Sequence, residues 1–300
     1  DRALAQLHAT GAHVVAISGN HDSSTRLGVN DRLLNQMGVA VRGDVSRLCE
    51  PLVIEHPADG GPPVAVYLLP YLDPVSALAA LRPAPEPDGD EPPDIEADPA
   101  GEPVPTPRRR ATHHEVTELA TEQMRTHLAT LGAARSVLVA HTFVAGGSAS
   151  ESERDLSVGN IDVVGLSALR GFQYVALGHL HGPQSFDGDR VGYSGTPLPY
   201  SFSEEHHTKS VRLVDLAADG SVSVQVVPLE VGRKLATLEG ELQDLLADPA
   251  LAHAETARVR VRLTDQLLPV HAMAKLRTRF PFTVELRHQP AGAGPVGTAG

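Results

Sequence analysis

Four short apolar runs in the first two thirds of the chain have the length of buried strands. They are HVVAIS (13–18), VAVYLLP (64–70), SVLVAH (136–141) and YVALGH (174–179). Apolar residues recur at helical spacing in three stretches between them, near 25–37, 115–131 and 162–169. Buried strands that alternate with helices predict a layered α/β fold.

The stretch before the second predicted helix differs sharply from its surroundings. Residues 83–107 contain eight acidic residues, no basic residue and nine prolines. Because Pro lacks a backbone donor and the acids repel one another, this composition predicts a disordered surface insert, which we place at 83–112. Thr112 and Glu115 have the spacing of a capping box, so we expect a helix to begin there and the insert to interrupt a folded unit.

After Gly195 the pattern changes to alternating strands. Residues 210–230 form two such strands about an Asp219-Gly220 turn, which predicts a hairpin. From residue 234 onward the order of strand, helix, strand, a helix near 269–279 and the strand FTVELR predicts a small βαβαβ-like unit. We therefore expect a first domain over 1–205, and a hairpin with a small α+β capping domain over 206–300.

Composition narrows the class of protein. A single cysteine, Cys49, excludes an internal disulfide and a thiolate-rich metal site, which suits a reducing compartment. No run of 18 apolar residues occurs, and the first residues lack the succession of charged, apolar and small residues that marks a signal peptide. We expect a soluble cytoplasmic protein without a membrane segment.

The net charge of −12 argues at first against a nucleic-acid partner, because phosphate contacts come from Lys and Arg. Residues 83–107 alone account for eight of these negative charges, and the rest of the chain carries only −4. The charge therefore does not exclude DNA as a partner.

Polar groups follow three of the predicted strands at their ends. The motifs are GNHD (19–22), VAHTF (139–143) and LGHLH (177–181). Together they supply one amide oxygen and three imidazoles, a ligand set suited to Mn²⁺, Fe²⁺ or Zn²⁺ at a hydrolytic site, from Asn20, His141, His179 and His181. The set lacks the carboxylate that usually bridges two metals. His21 lies beside a ligand, where it would stabilise charge or protonate a leaving oxygen.

With the stretch YSGTPLPYSFSE (193–204), these motifs resemble those of the calcineurin-like metallophosphoesterases, and within them the SbcD-type nuclease subunits. The resemblance covers nearly the whole chain apart from the insert. It implies a layered metallophosphoesterase domain and a Mn²⁺-dependent nuclease that hydrolyses DNA phosphodiesters in recombination, repair and replication. The implied activities are a 3′ to 5′ exonuclease on double-strand ends and an endonuclease on hairpins and single strands. The implied partners are an SbcC-type coiled-coil ATPase and a second copy of the chain, as a homodimer within a heterotetramer.

The resemblance also implies roles for single residues. Asn20, His141 and His179 match ligands of the second metal, and His181 matches a ligand of the first. His21 matches the catalytic histidine, and Asp22 is the residue expected to orient it. Three residues of the last motif match a family signature with a structural role, namely Ser201, Phe202 and Glu204.

The chain departs from the family pattern before GNHD. Members open with a strand ending in Asp-x-His and a second strand ending in Gly-Asp, which give the first metal's ligands and the bridging carboxylate. This chain has no Asp-x-His, and its Gly-Asp pairs, at Asp44, Asp90 and Asp189, all follow GNHD. We therefore expect an N-terminally truncated chain that also stops before the ATPase-binding helical tail, and an inactive or weakened nuclease.

Each motif also has a structural interpretation. Asn20 and His21 would cap a helix that starts at Ser23, His141 would be a hydrogen-bonded core histidine, and the two later histidines would be surface residues. Arg258, Arg260 and Arg262 share one face of a strand. That face is either solvated or a contact for the DNA backbone.

Two other functions remain as alternatives. The first is a phosphoesterase for small molecules or phosphoproteins, against which residues 193–204 and the second domain speak. The second is a non-catalytic scaffold subunit for an ATPase, which the missing carboxylates favour.

Overall fold

A computed structural model of the chain describes residues 2–55, 59–82, 111–132, 134–150 and 163–290. Residues 83–110 of the predicted insert lie outside the described residues. Ala111 and Thr112, its last two residues, lie inside them and lead into a helix.

Strands and helices alternate through the first part of the chain, as the apolar pattern predicts. The strands are β1 (Val14–Ile17), β2 (Val39–Arg42), β3 (Leu52–Ile54), β4 (Val64–Leu69), β5 (Arg135–His141), β6 (Phe143–Val144), β7 (Val163–Val164), β8 (Tyr174–Gly178), β9 (Gln184–Phe186), β10 (Val191–Tyr193), β11 (Ser210–Leu216), β12 (Val222–Pro228), β13 (Leu235–Gly240), β14 (Arg258–Leu263) and β15 (Thr283–His288). The helices are α1 (Arg2–His8), α2 (Ser24–Leu27), α3 (Asp31–Gln36), α4 (Pro74–Leu81), α5 (His113–Thr130), α6 (Leu242–Ala247) and α7 (Ala272–Arg279). All four strands predicted from apolar runs are present, as β1, β4, β5 and β8.

The central sheet is mixed and has six strands in the order β3-β4-β5-β8-β10-β9. Its inner strands β4, β5, β8 and β10 are parallel, whereas β3 and β9 pair antiparallel at the two edges. Parallel strands are covered on both faces, which explains why their sequences are continuous apolar runs. The chain therefore has a mixed α/β architecture with its parallel strand ends at one edge.

Helix α5 covers this sheet. Its buried residues Val116, Ala120 and Met124 recur every four positions and pack into the same core as Tyr67 and Leu138 of the sheet. The helix begins with the predicted capping box: the Thr112 hydroxyl accepts a hydrogen bond from the Glu115 amide, and the Glu115 carboxylate accepts one from the Thr112 amide. The sequence therefore predicted both the start and the buried face of this helix.

Two helix predictions need correction. The stretch 25–37 contains two short helices, α2 and α3, because Asn30 adopts a left-handed conformation with φ 66°. In the stretch 162–169, Val163 and Val164 form a strand beside β6, and Leu166–Leu169 form a 3-10 turn. There the Ala168 carbonyl accepts a hydrogen bond from the Thr121 hydroxyl of α5, so tertiary contact overrides the helical spacing.

The C-terminal unit, residues 235–288, has its own sheet and its own core. Strands β13, β14 and β15 are parallel and are connected through α6 and α7, which confirms the predicted βαβαβ order. Val259, Val261 and Leu263 of β14 are fully buried in this second core. The predicted hairpin is also present: β11 pairs antiparallel with β12, and Gly220 supplies the positive φ of the turn. The boundary at 205 and the capping role of this unit stay predictions.

Among the helices that the structure describes, none combines the length and the apolar character needed to cross a bilayer.

Thr112→Ala tests whether the capping box holds α5 on the sheet. Removing an N-cap hydroxyl leaves a helix donor without its partner, so we expect a loss of about 1 kcal/mol in the free energy of unfolding, measured with urea. Thr126→Ala is the matched control, since Thr126 lies exposed within the same helix, and we expect no loss there. Equal effects of the two substitutions would contradict a capping role.

Candidate metal centre

The predicted site residues meet where the strands end. The backbone amide of Tyr71, just after β4, donates to the Ser18 carbonyl at the end of β1, with 2.9 Å between N and O. Beside this junction lies a pocket of about 220 Å³ lined by five of the six predicted ligand and catalytic residues, Asn20, His21, His141, His179 and His181. The sixth, Asp22, lines an adjoining cavity instead. Open α/β sheets place their sites at this edge.

The GNHD motif forms a tight turn at the end of β1. The Gly19 amide donates to the Asp22 carboxylate at 2.7 Å, and the Asp22 amide donates back to the Gly19 carbonyl at 3.2 Å. These two hydrogen bonds of Asp22 close the turn that carries His21. A Cβ at residue 19 would lie 2.7 Å from the His141 ring, so glycine is needed for the turn to approach β5.

His141, at the end of β5, faces this turn. Its Nε2 lies 3.0 Å from Asn20 Oδ1. Burial, with the neighbouring His179 and His21 imidazoles, lowers the pKa of His141 to about 4, so the ring is neutral at pH 7. Two ligand atoms about 2.1 Å from one ion, at right angles, lie roughly 3.0 Å apart. The Asn20–His141 spacing therefore fits two ligands of a single ion.

His179 follows β8 and holds a strained backbone conformation with φ 119°. Its ring stands perpendicular to that of His141, with 5.3 Å between centroids, and tilts against Phe143. A non-glycine residue at such a φ costs on the order of 1–3 kcal/mol and persists only where its surroundings impose it. This backbone conformation accompanies the contact of the His179 ring with those of His141 and Phe143.

The His181 ring contacts a buried ion pair formed by Glu204 and Lys209. Its Nδ1 lies 3.1 Å from Glu204 Oε1, while Lys209 Nζ binds Glu204 Oε2 at 2.5 Å. The Glu204 side chain is fully buried and that of Lys209 is nearly so. Burial of a charge is expensive unless it is paired, and each of these two groups pairs the other.

The types of donor atom present decide whether the site fits one metal ion or two. A second cavity, of about 370 Å³, adjoins Asn20 and is lined by three carboxylates, those of Asp22, Asp44 and Asp73. Each of them accepts a backbone N–H in its own turn or helix cap. Within the described ranges, no three His, Cys, Asp or Glu side chains lie close enough together to hold a metal. The Asn20–His141 spacing thus fits part of the shell of one ion, and the described residues do not fit a two-metal site.

Residues 201–205 join the site to the C-terminal unit. The Phe202 ring lies under the Arg260 guanidinium, 4.3 Å from the ring centroid. The Glu205 carboxylate accepts hydrogen bonds from both the amide and the hydroxyl of Thr237 in β13. Ser201 caps the 3-10 turn between them through a bond from the Ser203 amide.

The three arginines of β14 lie on one face of the strand, as alternation predicts, but differ in exposure. Arg260 is turned inward against Phe202 and pairs with Glu285, with 3.2 Å between Nε and Oε2. Arg262 lies 3.6 Å from Glu239, and Arg258 is exposed. Arg258 is the member of the face most open to a phosphate.

Sequence reasoning missed the residues behind His181. Lys209 belongs to no motif recognised in the sequence, Thr196 lies in YSGTPLPYSFSE (193–204) but was given no role, and Glu204 was expected to be structural without a named partner. The signal for Glu204 was its place in SFSE, but no spacing in the sequence indicates that its partner is a histidine 23 positions earlier.

No family model matches the chain. The chain is 25% identical over 273 residues to the curated SbcD component of the SbcCD nuclease from Staphylococcus epidermidis. The alignment covers 91% of this chain and 64% of that relative, so the chain spans less than two thirds of the relative's length. Along nine tenths of its length, therefore, the chain is similar to an SbcD-type nuclease subunit, and the resemblance inferred from its four motifs is confirmed.

Proposed function

We propose that this chain provides the catalytic region of an SbcD-type subunit, a metal-dependent nuclease that hydrolyses DNA phosphodiester bonds. One observation carries the proposal: five side chains from three motifs far apart in sequence line one pocket at the strand ends. The alignment with a nuclease subunit over 91% of the chain supports the same assignment. The implied substrates are double-strand ends, attacked 3′ to 5′, and hairpins or single strands.

The metal in this proposal is Mn²⁺, held by Asn20, His141 and His179. When bound at a nuclease site, divalent metals supply an activated water and stabilise charge on the phosphate oxygens. The described donors are neutral and include no carboxylate, so they offset none of the 2+ charge. His181 lines the same pocket and is the residue that we assign to the first metal.

His21 is the residue that we assign to proton transfer. It is exposed at the pocket, whereas the adjacent Asn20 faces His141. Because the GNHD turn separates the two side chains, one residue serves as ligand while the other reaches the scissile phosphate. A histidine there stabilises developing charge and donates a proton to the leaving oxygen.

The partners follow from the same assignment. We propose an SbcC-type ATPase, a second copy of the chain and DNA in the cytoplasm, with the C-terminal unit as a cap beside the pocket. Arg258 is its exposed candidate for a phosphate contact. The alternative of a non-catalytic scaffold rests on the absence of a carboxylate among the described donors of the pocket. Measuring metal binding and nuclease activity together distinguishes the scaffold from the nuclease.

Metal binding gives the first test of the site. With three neutral donors we expect calorimetry with MnCl₂ to detect at most one weak site in this chain. His179→Ala should abolish that heat, whereas His253→Ala, an exposed histidine of the C-terminal unit, should leave it unchanged. Two tight sites in the wild-type chain would contradict the assigned donor set.

The division of roles between Asn20 and His21 gives the second test, in the longest open reading frame that contains this chain. We expect His21→Ala to keep its manganese content and to lower the rate of DNA hydrolysis by about 10² to 10⁴, the effect of losing a general acid. His179→Ala should lose metal and activity together. Manganese content and nuclease rate are measured on the same preparations.

Two results would count against this division. If His21→Ala loses metal as fully as His179→Ala, His21 is a ligand. If His21→Ala keeps full activity, the GNHD histidine is structural. A wild-type protein that binds DNA and its ATPase but cleaves nothing would favour the scaffold alternative.

A further inference from the structure

We propose that Glu204 is a positioning residue that fixes the tautomer of His181, so that Nε2 faces the pocket without a proton. The proposal rests on the proposed function, because it assigns a purpose to the orientation of a ligand of that site. It is argued from the contacts that residues 195–209 make with the ring and the backbone of His181.

The Glu204 carboxylate has a different partner for each oxygen. Oε2 is bound by Lys209 Nζ at 2.5 Å, while Oε1 lies 3.1 Å from His181 Nδ1 and accepts the Tyr200 amide at 3.2 Å. The side chain is fully buried, so water does not compete for these positions. A carboxylate only accepts hydrogen bonds, and therefore the proton between it and the ring belongs to Nδ1.

The charge of Glu204 is balanced by its other partner. Lys209 pairs with the carboxylate through Oε2, so Oε1 is the oxygen that meets the imidazole. A neutral imidazole with a proton on Nδ1 has its lone pair on Nε2. This is the arrangement in which a carboxylate behind a histidine orients it as a metal ligand.

The same segment also fixes the backbone of His181. Its carbonyl accepts the Thr196 amide at 3.1 Å and Lys209 Nζ at 3.0 Å. Gly195 has φ 78°, and a Cβ there would lie 2.5 Å from that carbonyl oxygen, so only glycine permits the approach. Ring and backbone are therefore held by neighbouring parts of one segment.

A packing role alone does not account for this construction. Replacing a buried ion pair by apolar side chains of similar size is often neutral or stabilising, so stability gives little reason to keep Glu204 and Lys209. The contact of Oε1 with the imidazole, beside its hydrogen bond from the Tyr200 amide, is explained if the direction of that ring matters.

The experiment measures the tautomer directly. The metal-free chain is labelled with ¹⁵N-histidine, and long-range ¹H–¹⁵N spectra at neutral pH report which nitrogen of His181 carries the proton. The His181 signals are assigned by their loss in His181→Gln. We expect the Nδ1–H form in the wild type, although free histidine prefers Nε2–H.

Glu204→Gln should reverse the tautomer. Glutamine offers one oxygen, and the charged Lys209 claims it more strongly than the ring does. The amide nitrogen then faces Nδ1 and donates to it, which forces the proton onto Nε2. Glu205→Gln is the matched control, because Glu205 contacts Thr237 rather than His181, and its spectrum should match that of the wild type.

The wild-type spectrum is decisive without any variant. An Nε2–H form of His181 in the wild type would overturn the proposal, as would an unchanged tautomer in Glu204→Gln. In the longest reading frame, Glu204→Gln should also lower the nuclease rate by about 10- to 100-fold. A tautomer that behaves as expected in a protein without nuclease activity would overturn the proposed function and leave the role of Glu204 intact.

Discussion

The contact between Asn20 and His141 joins two parts of the chain that are 121 residues apart, and the geometry of the pocket depends on it. It exists because Gly19 lets the GNHD turn approach the end of β5 closely enough for an amide oxygen and an imidazole nitrogen to face each other. The parallel register of β4, β5 and β8 then brings His179 to the same edge. A side chain at residue 19 would meet the His141 ring and separate the first motif from the other two, although no residue of the proposed ligand set is itself replaced.

Electrostatically the pocket is unusual for a divalent cation, because the described donors are neutral. Burial holds His141 uncharged at pH 7, and the nearby carboxylates of Asp22, Asp44 and Asp73 are occupied with backbone amides. In the proposed site, three neutral donors would direct an ion without neutralising its charge, so affinity must come from groups beyond this set. The pocket as proposed therefore offers directional donors rather than charge.

Patterns local in sequence predicted much of this structure. The four apolar runs, the capping box at Thr112 and the Asp219-Gly220 turn each depend on residues a few positions apart, and each is present. The motif ends also converged, since parallel strands place their carboxyl ends together. Asn30 breaks the predicted helix at 25–37 locally, whereas two other failures have non-local causes. The 163–169 stretch follows its contacts with α5 and β6, and the partnership of Glu204 with His181 and Lys209 arises only when the segment after β10 folds back.

That returning segment explains why a short motif outside the ligand set accompanies the histidines. Three residues within 202–205 each make a separate contact. Phe202 packs against Arg260 of β14, Glu204 orients His181, and Glu205 binds Thr237 of β13. The 3-10 turn Phe202–Glu204 is capped at Ser201 and is followed directly by Glu205. The contacts with the C-terminal unit and the contact with the His181 ring therefore come from neighbouring residues of one short segment, because Phe202 and Glu205 reach β14 and β13 while Glu204, between them, reaches the pocket.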